Sequence, residues 1–321
     1  MKENDLPVVS IIIPVKPGGE VKALRAVEKI DYPGEKLEVI VAEGCHPSIQ
    51  RNEAVRQSKG EILYFLDDDA CPTPSNIKRL IMQHRAANVA AVGGPSLAPE
   101  GDSFIQKCFE SLFISPFGGA GIKNRYQSVG TVRESSEKEL ILCNLSFKRS
   151  VFEQFGGLNE KLFPNEENDL MVRIEKNGCK LIHDPHMKVF RSQRKNIKRF
   201  ARQILNYGRG RMEQTLFHLP SFGIAHFVPL FFLVYVITLP FIDNFIYWTP
   251  LFLYLICDLL FSFLSALKDK GSFFRKTMKH IFMMFLFPVM HLCYGAGMLW
   301  GMKTFFLKAK KDLPVYIKKI A

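Results

Sequence analysis

Glu61-Ile-Leu-Tyr-Phe-Leu-Asp67-Asp68-Asp69 is an apolar run that stops abruptly on three consecutive carboxylates. Its β-branched and aromatic residues predict a buried central strand, with the aspartates at the C-terminal end. In open α/β sheets that edge is where ligands bind. Three like charges so close together repel unless a cation or solvent screens them, so a divalent metal carrying a phosphate is a natural occupant. The plain alternative is a solvated acidic turn opening the helix that starts near Ser75, since Asp also favours helix N-termini.

Outward from this strand, short apolar runs alternate with helical patterns, as in βαβ units with a mostly parallel sheet. Residues 8–15 (VVSIIIPV) and 37–43 (LEVIVAE) are expected strands, with helices over 20–30 and 48–58. A helix with a Ser cap is expected over 75–87, a strand over 89–93, a strand over 140–147, and a helix over 169–177 closed by Gly178. Residues 99–139 give no assignment beyond loops at Gly118, Gly119 and Gly121.

The pattern changes after Asn196. Ile197, Phe200, Ile204 and Tyr207 recur at helical spacing beside Lys195, Lys198, Arg199, Arg202, Arg209 and Arg211. This reads as an amphipathic helix on a membrane surface, the alternative being a surface helix packed on the sheet domain. Residues 222–241, 245–267 and 281–302 are each about long enough to cross a ~30 Å hydrocarbon core. Asp258 is then an intramembrane functional or pairing residue, and Gly295, Ala296 and Gly297 allow close helix packing. The basic loop of Lys268, Lys270, Arg275, Lys276 and Lys279 belongs inside. The tail lysines (303, 308, 310, 311, 318 and 319) prefer the inside too, whereas a third crossing at 281–302 puts them outside. Either the charge rule fails or that segment is re-entrant or interfacial.

The expected organisation is a cytosolic domain over 1–195, an interfacial helix over 196–217, and a membrane domain with two to three spans and a basic tail over 218–321. The chain has 321 residues and a net charge of +12, its basic excess lying mostly after Lys188. A basic surface beside apolar runs points to anionic membrane lipids, and no nucleic-acid signature is present. Seven scattered cysteines without a CxxC pair fit a reducing compartment and argue against a disulfide framework or zinc site. No secretory signal is expected at the N-terminus, so the first domain is expected in the cytosol of a multi-pass protein of the inner (plasma) membrane.

Four features of the first half converge. The strands ending at Pro14-Val15-Lys16 and at Ala42-Glu43-Gly44 reach the same sheet edge as Asp67 to Asp69. A second acidic cluster, Asn165-Glu166-Glu167-Asn168-Asp169, opens a helix about a hundred residues later, after the Gly156-Gly157-Leu158 segment. A helix N-terminus enriched in acids for dipole reasons is the plain reading of Glu166 and Glu167.

In these ordered blocks the chain resembles glycosyltransferase family 2 over roughly residues 8–211. The blocks are Pro14; Arg51-Asn52; Gly60-Glu61; Leu66-Asp67-Asp68-Asp69; Gly156-Gly157-Leu158; and Glu166-Glu167-Asn168-Asp169-Leu170 with Arg173. Within that family it looks most like membrane-bound enzymes of the succinoglycan type. The resemblance implies an A-type nucleotide-binding sheet sandwich, followed here by the interfacial helix and transmembrane helices. It implies that Asp69, helped by Asp67, holds Mg²⁺ or Mn²⁺ against the diphosphate of a UDP- or GDP-linked sugar. Glu167 is then the base that activates a lipid-linked or glycan acceptor, with Glu166 second in line, and Pro14, Lys16, Glu43, Arg51, Asp67, Asp68, Asp169 and Arg191 bind the donor. Clustered Glu166, Glu167 and Asp169 are expected to raise one another's pKa.

The sequence departs from the family pattern in three places. Ala42-Glu43 stands for the usual acidic pair, leaving only Glu43 for the nucleobase. Arg191 falls where relatives often place a metal-binding His, and could contact the diphosphate directly; His183 and His186 nearby read as packing or surface residues. Gln203 to Tyr207 lacks the Arg and Trp of processive synthases, which favours single-sugar transfer. The altered positions also motivate a second hypothesis, a catalytically degenerate subunit that binds or scaffolds a polysaccharide assembly complex.

Overall fold

The computed structural model describes residues 6–86, 88–119, 121–217, 227–307 and 314–320. The chain divides into two compact units, each assembled from separate stretches of sequence. The first comprises Met1–Glu100, Asn124–Ser192 and Lys310–Ala321, and the second Gly101–Lys123 and Gln193–Ala309.

In chain order the first unit starts with β1 (Val9–Val15), α1 (Leu24–Val27), β2 (Leu37–Glu43), α2 (Pro47–Gln57) and β3 (Ile62–Leu66). β4 (Cys71–Pro72), α3 (Asn76–His84), β5 (Val89–Gly93) and β6 (Ser96–Leu97) follow. The second unit contributes α4 (Phe104–Ile114) and α5 (Pro116–Gly119). The first resumes with β7 (Arg133–Ser135), β8 (Asn144–Lys148), α6 (Arg149–Gln154), α7 (Glu166–Lys176), β9 (Lys180–His183) and β10 (Val189–Phe190). Then come α8 (Ile197–Phe217), α9 (Val228–Thr238), α10 (Phe245–Leu267) and α11 (Phe273–Leu307) in the second unit, and β11 (Tyr316–Ile320) back in the first.

The large sheet has the strand order β11-β2-β1-β3-β8-β5-β9-β7. β3 is central, parallel to β1 (Ile12 opposite Phe65) and antiparallel to β8 (Phe65 opposite Leu145). Every residue of β3 is buried, which is why its sequence is apolar without alternation. Phe65 meets Phe147 and Phe152 with ring centroids 6.0 and 5.5 Å apart, each ring contributing roughly 2–3 kcal/mol by burial. Gly60 precedes β3 because a β-carbon there would lie 2.4 Å from the Ser10 backbone nitrogen. A small sheet, β4-β10-β6, carries the chain from the end of β3 to Arg191.

Three expected elements move. The helix over 20–30 shrinks to Leu24–Val27, because Gly18 (φ 67°) turns the chain after β1 and Ala23 N–H donates to the Asp68 carbonyl (3.0 Å). The strand over 140–147 begins only at Asn144, since residues 141–144 form a turn closed by Asn144 N–H to Ile141 C=O (3.0 Å). The helix over 169–177 begins three residues early, at Glu166. The stretch left unassigned holds α4, whose N-terminus is a capping box between Ser103 and Gln106.

In the second unit, α8 and α11 touch backbone to backbone. A β-carbon on Gly208 would lie 2.1 Å from the Tyr294 carbonyl, and one on Gly297 2.1 Å from that of Leu205. The face of α8 that reads as apolar is thereby partly taken: Ile204 is fully buried, and Phe200 stacks on Phe109 at 4.2 Å. Gly295 admits α9, its β-carbon position lying 2.4 Å from the Pro229 carbonyl. α10 and α11 are long and apolar enough to cross a membrane. α10 turns Phe252, Leu253, Ile256, Leu260 and Phe263 outward, while Asp258 is buried and accepts from Ser262 Oγ (3.0 Å). Of the expected span over 222–241, residues 222–226 lie outside the described residues, and the remainder is α9 with one further turn.

Candidate active site

β1, β2 and β3 end at one edge of the large sheet, and α7 brings a second group of acids to the same place. The junction is Arg51 on α2, which is 4% exposed. Its guanidinium donates through Nη2 to Asp67 Oδ1 at 2.7 Å and through Nη1 to Glu166 Oε1 at 2.9 Å. Two clusters separated by a hundred residues of sequence therefore share one cation. Asn52, next on the helix, fixes the loop leading to α7: Leu158 N–H donates to its Oδ1 (3.1 Å), and its Nδ2 donates to the Leu158 carbonyl (2.8 Å).

At the first cluster Arg191 places Nε 2.6 Å from Asp69 Oδ1 and Nη1 3.1 Å from Asp67 Oδ2. Burial, reinforced by the charges of Asp69 and Asp67, raises the pKa of Asp68. α3 begins at Asn76 without a side-chain cap from these acids, so the triple aspartate does not serve as its N-terminus. Asp67 and Asp69 converge on one guanidinium and so are spaced to share a cation. Among the described residues no group of three or more His, Cys, Asp or Glu could hold a metal. Mg²⁺ characteristically takes one or two carboxylates plus substrate phosphates and water, and a two-carboxylate site fits that chemistry.

At the second cluster, Asn165 adopts a left-handed conformation (φ 83°) and turns the chain into α7, a conformation Asn tolerates. Glu166, Glu167 and Asp169 occupy the first helical turn, where the dipole favours acids. The dipole does not account for their burial, since they are 2%, 9% and 1% exposed. Burial first, and then the neighbouring charge of Glu167, push the Glu166 carboxyl up to about 8 against the pull of Arg51. Glu166 Oε2 is buried without a partner. Among the described residues no hydrogen bond or ion pair ties down Glu167.

Asp169, expected among the donor-binding residues, pairs with Arg173, whose Nε and Nη2 lie 3.1 and 3.0 Å from its Oδ2. Arg173 also donates to the carbonyls of Phe155 and Gly157, so this pair holds the glycine loop. Pro14 is buried at the end of β1 opposite Ala42, and Lys16 is exposed in the turn that follows. Glu43 at the end of β2 accepts from Gly18 N–H at 3.3 Å. His183 is buried in β9 with its ring at the Asn124 carbonyl (3.0 Å), and His186 is exposed. Sequence reading misses Asn52 and Arg173 as holders of the glycine loop, although both are polar residues in otherwise packed helices.

Residues 11–153 match the family described as Glycosyl transferase family 2. Comparison with curated protein sequences gives no match. Among solved structures the chain is similar to a mannosyltransferase, PcManGT from Pyrobaculum calidifontis, solved with GDP-Man and Mn²⁺. That likeness has 14% identity and a TM-score of 0.55, over 94% of this chain and 88% of that one. Weaker likenesses are to S. aureus TarS (13% identity, TM-score 0.45, 65% of this chain and 39% of that one) and to TarS 1–349 with UDP (11%, 0.44, 92% and 91%). At such identities the first of these shows the fold, an A-type-like α/β sheet. The matched residues, 11–153, run from β1 to α6 and include the β1, β2 and β3 strand ends of that sheet.

Proposed function

We propose that the protein is an inverting, membrane-anchored glycosyltransferase. It moves a sugar from a UDP- or GDP-linked donor to a lipid-linked or glycan acceptor at the cytosolic face, in cell-envelope or exopolysaccharide synthesis of the succinoglycan type. The observation that supports this reading is the bridge from Asp67 through Arg51 to Glu166, which brings the strand-end aspartates and the helix-start glutamates to one place. The GDP-Man and Mn²⁺ of the mannosyltransferase named above support a nucleotide-sugar donor.

Asp69 and Asp67 would hold the divalent ion, whose charge neutralises the departing diphosphate. Arg191, already at both aspartates, is placed to pair with phosphate oxygens by the same bidentate chemistry. Burial raises the Glu166 carboxyl and Arg51 engages its Oε1, so Glu167 is the base in this reading. Glu167 takes the proton of the acceptor hydroxyl as its oxygen attacks the anomeric carbon. The bond to the diphosphate breaks on the opposite face, and the anomeric centre inverts. Arg51 keeps both clusters in register and offsets their mutual repulsion.

The tail orients the membrane part. The chain leaves the first unit after β10 and rejoins it at β11, so an even number of intervening segments crosses the bilayer. Keeping the basic loop at 268–279 inside makes the crossing pair α9 with its further turn and α10. α11 then lies beside α8 at the inner surface, where the cationic face of α8 meets anionic lipids.

Purified protein incubated with UDP- and GDP-sugars and a lipid-linked acceptor is expected to release the nucleoside diphosphate and form a glycoside of inverted configuration. A folded protein that turns over none of them, yet co-purifies with other envelope-assembly proteins, supports the scaffold reading instead. A reporter fused after position 320 is expected in the cytosol, and an exterior signal removes the two-crossing arrangement.

A further inference from the structure

β11 brings to the donor end of the sheet a side chain that sequence reading groups with the membrane segments. It runs antiparallel to β2, with Tyr316 opposite Glu43, Lys318 opposite Val41 and Ile320 opposite Val39. Directly opposed residues of such a pair project from the same face. The row continues onto β1, where Val15 stands opposite Glu43. The alternate residues settle which face this is. Val315 and Ile317 pack against the core cluster that holds Ile40, Ala42, Ala54 and Val55. Lys319 reaches the Gln57 carbonyl on α2 (2.6 Å) and Glu38 (3.4 Å). Tyr316 therefore projects from the face away from α2, together with Glu43 and Val15, and is 68% exposed.

The surroundings of this row are already shaped. Gly18 N–H donates to Glu43, drawing the turn after β1 against the carboxylate. A β-carbon on Gly44 would lie 3.3 Å from the Pro314 carbonyl, so the backbone entering β11 runs along the loop that leaves β2. A flat aromatic face next to a hydrogen-bond acceptor supplies two things a nucleobase needs, a stacking surface and a partner for its N–H groups.

We propose that Tyr316 is the outer wall of the nucleobase site, its ring stacking on the base of a nucleoside diphosphate while Glu43 accepts from that base. The inference rests on the donor-site reading of this sheet edge. It makes the C-terminal strand part of the pocket, and Tyr316 a binding residue for the base, with no part in the chemical step.

Calorimetric titration of UDP and GDP, each with Mn²⁺, into the full-length protein and its Tyr316→Ala, Tyr316→Trp and Lys318→Ala variants tests this. Tyr316→Ala is expected to weaken the preferred nucleotide about ten-fold or more. Tyr316→Trp keeps the affinity, and so does Lys318→Ala, on the same face two residues further along. Inorganic pyrophosphate with Mn²⁺, which has no base, binds wild type and Tyr316→Ala alike. Equal nucleotide affinity in wild type and Tyr316→Ala overturns the proposal while leaving the donor site standing. Equal losses in Tyr316→Ala and Lys318→Ala trace the effect to detachment of the strand and also overturn it. A wild-type protein that binds neither nucleotide removes the donor-site reading itself, and this inference with it.

Discussion

The two acidic clusters are alike in composition and opposite in setting. Asp67 and Asp69 end a strand with side chains 20% and 40% exposed, and each meets a guanidinium. Glu166 and Glu167 open a helix inside the protein, where one shared arginine does not offset the cost of burial, and Glu166 rises to about 8. The same functional group is thereby held by guanidinium contacts at a partly exposed edge in one place and pushed up by burial in the other. Pairs of titratable groups whose environments push their pKa values apart are how acid and base roles become distinct.

The comparison breaks most visibly at the base. Glu167→Gln is expected to lower kcat by about 10²–10⁴-fold, the usual worth of a positioned base, whereas Glu166→Gln leaves most of the turnover. Steady-state rates on the same donor decide it, and equal losses would erase the distinction between the two glutamates.

The bridge is the next largest effect. Arg51→Met removes the guanidinium that Asp67 and Glu166 share and is expected to cost about 3 kcal/mol of stability, two hydrogen bonds to charged groups at ~1.5 kcal/mol each, read from denaturant unfolding. Asp169→Asn weakens the charge-assisted grip of Arg173 on the glycine loop and is expected to cost about 1.5–3 kcal/mol, with the kcat largely kept if Asp169 does not touch the donor.

The smallest effect sharpens the comparison through pH. Glu166 in the folded protein ionises near 8, above its ordinary value of 4.5. Its contribution to stability is therefore fully present below the ordinary value and lost as pH rises through about 8. Glu166→Gln has no such loss, so its melting temperature is expected to match wild type near the low end of that window and to exceed it increasingly toward alkaline pH. A gap independent of pH would show that Glu166 is not held protonated.

Much of the sheet was legible because its signals are local. β2 and β5 coincide with their apolar runs, and β3 is recognisable from an unbroken buried stretch ending in charge. The Arg51-Asn52 pair stands out in sequence, but that one residue bridges two clusters and the other pins a loop depends on contacts across more than a hundred residues. α4 carried a readable capping signal at Ser103 and Gln106 that the glycines further on obscured. β11 could not be read locally: Tyr316 to Ile320 is short and lysine-bearing, and only the open edge of β2 makes it a strand.

That late strand also constrains how the molecule is made. β2 is synthesised early with one edge open, and its partner emerges only after α8 to α11 have left the ribosome. Through that interval an exposed row of backbone groups invites pairing with another chain. Once β11 docks, the sheet ends instead in a short strand bearing Lys318 and Lys319, a form of edge that discourages further addition. Completion of the sheet thus reports that the helices before it have been synthesised, and a nascent chain stalled among them keeps an adhesive flank.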